Sequence, residues 1–250
     1  MKKSLATVCS ALMILILSTA PALAGNGRAG NFSQTKGGGM NADITQLAYE
    51  EPAPEEIAAL TYMVEEEKLA RDVYNVLYDT WNIPVFANIA QAEQRHMDAI
   101  ISLLDKYGLD NPAVLEPGLF VNPDLQTLYE NLITAGQMSE EEALLVGATI
   151  EDVDIFDLLR ELEQVDNEDI TKVFENLLQG SENHLRAFST LLAVYGYEPY
   201  EAQFLSQEQI DEILSTPPSH GGKGNGSAKA QANRQMLDTD GDGICDFLQQ

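Results

Sequence analysis

Glutamates stand at core positions of a helical pattern in the segment "EEEKLARDVY", residues 65–74. The apolar stripe at helical spacing through this segment is Leu60, Met63, Glu67, Ala70, Tyr74, Leu77 and Trp81. Glu66 falls in a neighbouring apolar stripe, and Glu65 falls outside both. Because burial of an unpaired carboxylate is unfavourable, such a residue needs a cation or a proton. The pattern therefore predicts that Glu67 and Glu66 face an internal cation site.

Three further segments place polar residues on an apolar face. Glu93 and His96 stand three residues apart, so a carboxylate oxygen and an imidazole nitrogen point to the same place. Another stripe carries Glu151 and Asp154, and a fourth carries His184. Mixed carboxylate and imidazole ligands favour iron or manganese over metals that select thiolates, and zinc also fits them. The candidate metal ligands are Glu66, Glu67, Glu93, His96, Glu151, Asp154 and His184.

Each candidate also has a plainer interpretation. The three consecutive glutamates alone are typical of a solvated helix face, and a lone core histidine is more often hydrogen-bonded than bound to a metal. For Asp154 and Glu66 the alternative is a helix cap or an ion pair with Arg71, Arg95 or Arg186. The convergence of four such segments favours the metal site.

Helical periodicity, interrupted by proline and glycine, runs through the centre of the chain. It predicts helices over about 55–81, 86–107, 124–135, 139–163, 167–195 and 206–214. Ser139 and Glu142 form a capping-box pattern at the start of the fourth. Short links join the long helices in pairs, and a long connector separates the two pairs. This arrangement predicts an all-α protein, an antiparallel four-helix bundle with one long crossover.

The ends of the chain differ from its centre. Residues 1–24 combine a basic start, an apolar run and an Ala-Leu-Ala end, which predicts a signal peptide cleaved near Ala24 and a secreted or periplasmic protein. We expect no stable membrane insertion. Residues 25–46 form a flexible glycine-rich lead-in and residues 215–236 a second disordered linker, on either side of a helical domain at 47–214. Cys245 is the one cysteine outside the signal, so no internal disulfide forms.

Acidic residues dominate the composition, with 40 Asp and Glu against 14 Lys and Arg and a formal net charge of −26. This balance excludes nucleic acid and anionic membrane surfaces as partners and favours metal ions. The sequence indicates no particular protein partner.

The C-terminal segment 237–250 contains "DTDGDGICD", which has the oxygen spacing of an EF-hand-like calcium loop. The expected calcium ligands are Asp238, Asp240, Asp242, the Ile244 carbonyl and Asp246. Gly243 stands at the sharp-turn position, whereas Gln249 stands where a bidentate glutamate is usual. The segment resembles the calcium repeats of thrombospondin type 3 and dockerin modules. The alternative is a disordered acidic tail in which Cys245 forms an intermolecular bridge.

Four segments carry a resemblance to known proteins: "MVEEEKLARDVY", "NIAQAEQRHMDAI", "LVGATIEDVDIFDL" and "GSENHLRAF". They are similar to an uncharacterised family, domain of unknown function 2202. More broadly, Glu67-x-x-Ala70-x-x-x-Tyr74 followed by Glu93-x-x-His96 resembles ferritin-like di-iron proteins, including ferritins and rubrerythrins. In those proteins a glutamate from each of two helices and a Glu-x-x-His from each of the other two bind iron. The resemblance, over roughly 47–195, implies a ferritin-like bundle.

The resemblance matches Glu67, Glu93, His96 and Glu151 to the di-iron ligands, but the last helix departs from the pattern. Ser181 stands where a glutamate is expected, three residues before His184. Asp154 replaces the missing oxygen, or Glu182 does so if the helix is locally bulged. We therefore expect either a single metal ion or a dinuclear site with an open position.

The resemblance implies an iron-dependent oxidoreductase acting with O₂ or peroxide, and the predicted signal peptide would make it an exported protein. The alternative is a non-catalytic helical scaffold or metal-binding module at the cell exterior. Hydrogen-bonded acids and arginines that fill the core without metal would favour this alternative.

Overall fold

The computed structural model describes residues 50–216. Within this range the chain forms six α-helices and no strand, so the predicted all-α fold is confirmed. The helices are α1 Pro54–Trp81, α2 Pro84–Tyr107, α3 Pro123–Gly136, α4 Glu140–Leu162, α5 Glu168–Val194 and α6 Gln207–Ser215. The predicted signal peptide, the lead-in, the linker from residue 217 onward and the calcium loop lie outside the described residues. Among the described helices, none is long and apolar enough to cross a membrane.

The helix ends follow local sequence signals. Proline opens α1 and α2, where its missing N–H would have had no helical partner. Gly108 ends α2 in the left-handed conformation, with φ of 69°. Ser139 caps α4, because its hydroxyl accepts a hydrogen bond from the backbone N–H of Glu142 at 3.1 Å. The predicted helix boundaries agree with the structure to within about two residues.

Two apolar clusters show how the long helices are arranged. One cluster joins the start of α1 to the ends of α2 and α4 and the start of α5, through Leu60, Leu103, Leu158 and Phe174. The other joins the opposite ends of the same helices, through Leu77, Phe86, Leu144 and Leu192. The helices therefore form two antiparallel pairs, α1 with α2 and α4 with α5. Because α2 ends at one cluster and α4 starts at the other, the connector between them runs the length of the bundle.

Buried polar residues of α1 hold this connector. Glu65 accepts hydrogen bonds from the backbone N–H groups of residues 121 and 122, at 2.7 and 3.0 Å. Lys68 is fully buried, pairs with Asp72 at 2.7 Å and donates to the carbonyls of residues 116 and 119. Asp72 in turn accepts from the backbone N–H of Gly118. These contacts hold the connector against the side of α1 that carries Glu65.

Asp152 holds the segment 200–205, which follows α5, against α4. Its buried carboxylate accepts from the Tyr200 hydroxyl and from three backbone N–H groups, those of residues 203, 204 and 205, at 2.7 to 3.1 Å. We expect Asp152→Ala to lower the free energy of unfolding by about 3–5 kcal/mol, because several donors lose a charged partner at once. Urea unfolding measures this. The exposed Glu175→Ala serves as control and should change stability by less than about 0.5 kcal/mol; equal losses in both variants would contradict the assignment.

Candidate metal centre

The three consecutive glutamates of α1 face three different neighbours. All are buried, with at most 3% of each residue exposed, so the interpretation as a solvated face is wrong. Glu65 binds the connector, Glu67 reaches α2, and Glu66 lies toward Asp157 of α4. The connector covers the side of α1 that helical periodicity alone leaves exposed.

The first ligand group joins α1 and α2. One ligand atom from each of Glu67, Glu93 and His96 lies within 4.8 Å of the others. The Nδ1 atom of His96 is 3.1 Å from Glu67 Oε2 and 2.8 Å from Glu93 Oε2. All three side chains are buried. A carboxylate pair with an imidazole at these separations is suited to a divalent transition metal.

The second ligand group joins α2, α4 and α5. Ligand atoms of Glu93, Glu151 and His184 again lie within 4.8 Å of one another. The Nδ1 atom of His184 is 2.8 Å from Glu93 Oε1 and 3.4 Å from Glu151 Oε2. His184 Nδ1 and Glu93 Oε1 lack hydrogen-bond geometry despite this short separation.

Glu93 belongs to both groups. Its Oε2 atom faces His96 and its Oε1 atom faces His184. The two imidazole rings stack with their centroids 5.5 Å apart. Each half thus consists of one histidine, one further glutamate and one oxygen of Glu93. Glu93 therefore links two groups of side chains, each of which could hold a metal ion.

Asp154 lies beside the residue that replaces the expected glutamate. Ser181 donates a short hydrogen bond from its hydroxyl to Asp154 Oδ2. The helix α5 is regular at this point, and Glu182 pairs with Arg186 at 3.1 Å, so the alternative of a bulge that turns Glu182 inward is wrong. Asp154 is therefore the acid nearest to the position of the missing ligand.

The arginines do not reach the candidate acids. Arg71 binds Asp72 and Gln94, Arg95 binds the carbonyl of Gln91, and Arg186 binds Asn183, Glu182 and the carbonyl of Ile213. The proposed ion pairs of Asp154 or Glu66 with these arginines are therefore wrong.

Several buried oxygens at the centre have no hydrogen-bond donor among residues 50–216. They are Glu67 Oε1, Glu93 Oε1 and Asp154 Oδ1. Native proteins pair almost all buried polar atoms, so an unpaired set at one place indicates a missing partner. A cation would supply this partner, and the residues present fit one.

Aromatic residues cover one side of the centre. The Tyr74 hydroxyl donates a short hydrogen bond to Glu151 Oε1. Tyr74, Phe86 and Phe188 pack with ring centroids 5.4 to 6.1 Å apart. These rings exclude water from that side, and the hydroxyl holds the Glu151 carboxylate in one orientation.

Several titratable groups of the centre have shifted pKa values. Burial, followed by the charges of Asp154 and Glu93, raises the pKa of Glu67. Burial and then Glu151 raise the pKa of Asp154 to about 8. Burial alone would lower the pKa of His184, but Glu93 and Glu151 raise it to about 10. Burial opposes the ionisation of Glu93, yet the two imidazoles lower its pKa. A metal ion would have to displace protons from the centre.

Gly180 lies against a candidate ligand, a contact that the sequence analysis missed. A Cβ atom on Gly180 would lie 2.5 Å from His96 Nε2, so glycine leaves room for the imidazole ring. An isolated glycine within the helical pattern was the available signal, since it often marks a close approach.

We expect Gly180→Ala to weaken metal binding by about 10–100-fold, the usual effect of disturbing the support of a ligand. The same overlap should lower the unfolding temperature, because crowding of a buried ring outweighs the gain in helix propensity that alanine brings. Calorimetric titration with Co²⁺ and thermal unfolding measure the two effects. An unchanged affinity for Co²⁺ would show that the His96 ring can move without any effect on metal binding.

Comparison with known proteins agrees with the predicted family. The family model described as "Uncharacterized protein domain (DUF2202)" matches residues 56–217. Uncharacterized protein MJ0754 of Methanocaldococcus jannaschii is 47% identical over 179 residues, which cover 71% of this chain and 96% of that protein. The crystal structure of hypothetical protein MJ0754 from Methanococcus jannaschii matches with a TM-score of 0.68 over 70% of this chain and 99% of the other. The chain belongs to the DUF2202 family.

Proposed function

We propose that this protein binds two divalent metal ions in a ferritin-like bundle, with Glu93 as the bridging ligand. The observation that carries this proposal is the position of the two Glu93 oxygens, each within 2.8 Å of a different histidine Nδ1. Glu67 and His96 complete one half, and Glu151 and His184 complete the other. A residue that served only one ion would not need contacts on both sides.

The charges of the centre support two ions. The carboxylates of Glu67, Glu93, Glu151 and Asp154 carry four negative charges when ionised, which two divalent ions neutralise. Uncompensated charge is costly in a buried site, so such a balance favours occupancy. A single divalent ion would leave an excess of negative charge that protons would have to cancel.

We further propose that the centre binds iron and that the protein is an iron-dependent oxidoreductase. Reduced iron supplies electrons to O₂ or peroxide, the chemistry that the resemblance to ferritin-like di-iron proteins implies. The protein's own residues set the conditions: Glu93 fixes the spacing of the ions, and Tyr74 orients Glu151. Manganese and zinc suit the same ligands. Export and the C-terminal calcium loop stay predictions from residues 1–24 and 237–250.

A second candidate is a non-catalytic scaffold or metal-binding module at the cell exterior. Its support is that part of the polar core is satisfied without an ion. His96 forms a hydrogen bond with Glu67 at 3.1 Å, and Ser181 forms one with Asp154. In this case the centre would contribute stability alone.

Two measurements on the purified full chain test the proposal. Mass-spectrometric metal analysis after anaerobic reconstitution with Fe²⁺ should give two ions per chain. The loaded protein should then consume O₂ or hydrogen peroxide faster than the same Fe²⁺ in buffer. Two ions without such consumption would favour the second candidate. No bound ion after reconstitution with iron, manganese or zinc would contradict both metal-binding proposals.

A further inference from the structure

Glu66 is a buried acid that the dinuclear centre does not use. It is 2% exposed, and neither carboxylate oxygen accepts a hydrogen bond from the residues that the structure describes. It belongs to neither ligand group. A buried carboxyl group in this condition needs either a proton or a cation.

The neighbours of Glu66 are acids of α4. Asp157 is fully buried and pairs with Arg160 at 2.6 Å, and the Tyr62 hydroxyl donates to it at 3.3 Å. Glu66 lies within hydrogen-bond distance of Asp157, so the two buried carboxyl groups can share a proton. Two carboxylates that share a buried site require a proton or a cation between them.

The acids on α4 form a continuous row. Glu151, Asp154 and Asp157 are spaced by three residues, about 4.5 Å along the helix axis at each step. Glu151 and Asp154 lie at the centre, and Asp157 lies one turn further toward the Arg160 end. Glu66 of α1 lies beside this row. The row therefore leads away from the centre in one direction.

Arg160 stands at the outer end of the row. Its side chain is 35% exposed, and it pairs with both Asp157 and Glu161, the second at 2.8 Å. Since Asp157 has this cation and the four carboxylates of the centre balance two divalent ions, Glu66 is the acid left without a counter-charge. An exposed arginine with two alternative partners can leave one of them when a competing cation arrives.

We propose that Glu66 and Asp157 form a transit position for divalent cations between the surface at Arg160 and the centre bridged by Glu93. The proposal rests on the proposed function, because it gives the ions a destination. An arriving ion takes the place of Arg160 on Asp157, while Arg160 keeps its contact with Glu161. The ion then binds Glu66 and passes to Glu67 or Asp154. No bond in the protein is broken, and only cation ligands are exchanged.

The test is the rate at which the full chain takes up Co²⁺, a divalent ion that O₂ does not oxidise on mixing. Stopped-flow absorbance of the ligand-field bands follows uptake. Glu66→Gln and Asp157→Asn should each slow uptake about tenfold, the change that about 1.4 kcal/mol on the barrier produces. The final count should stay at two ions per chain. Arg160→Gln should load faster than the unchanged protein.

Asp79→Asn is the matched control, since it removes one charge from an exposed position of α1. This variant should take up Co²⁺ at the same rate as the unchanged protein. Uptake at that rate by both Glu66→Gln and Asp157→Asn would overturn the transit position while leaving the dinuclear centre intact. A lower final count would also overturn it, since Glu66 or Asp157 would then be a permanent ligand. Absence of Co²⁺ binding by the unchanged protein would instead reject the proposed function.

Discussion

Glu93→Gln is expected to bind neither metal ion, although it changes only one atom of a buried side chain. Glu93 is the one residue common to both ligand groups. Glutamine offers one oxygen and no charge, so one half loses its oxygen and both halves lose part of their attraction for cations. Loss of a partner from a buried charge pair costs about 3–5 kcal/mol, which corresponds to about 10²–10⁴-fold weaker binding. Calorimetric titration with Co²⁺ and metal analysis after dialysis measure this loss.

Glu182→Gln is the matched control for this variant. It makes the same substitution on a glutamate of the "SENH" segment that pairs with Arg186 and whose side chain is 30% exposed. It should retain two ions with affinity close to that of the unchanged protein. Two tightly bound ions in Glu93→Gln would show that Glu93 is not the bridge. One retained ion would restrict Glu93 to a single half.

Removal of the metal should lower the unfolding temperature by about 8–16 °C. A ligand that binds the folded state alone, at a free concentration of 1,000 Kd, stabilises it by about 4 kcal/mol, and each kcal/mol shifts the transition of such a domain by about 2–4 °C. The centre lies between the two apolar clusters and joins all four long helices. Without metal, repulsion between its carboxylates therefore destabilises the whole bundle. Differential scanning calorimetry with Co²⁺ and with a chelator compares the two states. Coincident transitions would contradict a site that joins the helices.

The stability of the metal-free protein should fall as the pH rises from about 5 to about 9. The pKa of His184 is raised to about 10, so its favourable contribution is complete below its usual pKa of 6.5 and is lost toward pH 10. The pKa of Asp154 is raised from 3.8 to about 8, so its ionisation costs stability across that interval. The lowered pKa of Glu93 acts in the opposite direction only under acidic conditions.

The same protons compete with metal, so the stabilisation gained on Co²⁺ binding should grow as the pH rises. Unfolding temperatures at pH 5, 7 and 9, with and without Co²⁺, measure both trends. A metal-free protein that is most stable at pH 9 would contradict the assignment of protons to His184 and Asp154.

Periodicity was sufficient to predict the helices and the inward face of the centre. Residues three positions apart lie on the same face of a helix. Helix geometry alone therefore places Glu93 and His96 side by side on the buried face. The same reasoning placed Glu67, Glu151 and His184, and the structure brings all five together. Ser181 was recognised as the departure, and Asp154 does lie beside it.

Periodicity could not predict buried polar residues whose partners come from irregular segments. Glu65 lies outside the apolar stripes and is buried because the connector passes over it. Asp152 is buried because the segment 200–205 packs against α4. The role of Glu93 as a shared ligand likewise depends on the distance between α2 and α5, which no local pattern contains. Such contacts arise from tertiary packing between elements distant in sequence.

Anomalous diffraction from crystals grown with Co²⁺ tests the two-ion centre most directly. Two peaks should lie on either side of the Glu93 carboxylate, about 3.5–4 Å apart as in other two-metal sites. One peak should be bound by Glu67 and His96, and the other by Glu151 and His184. A single peak, or none within reach of Glu93, would contradict the account.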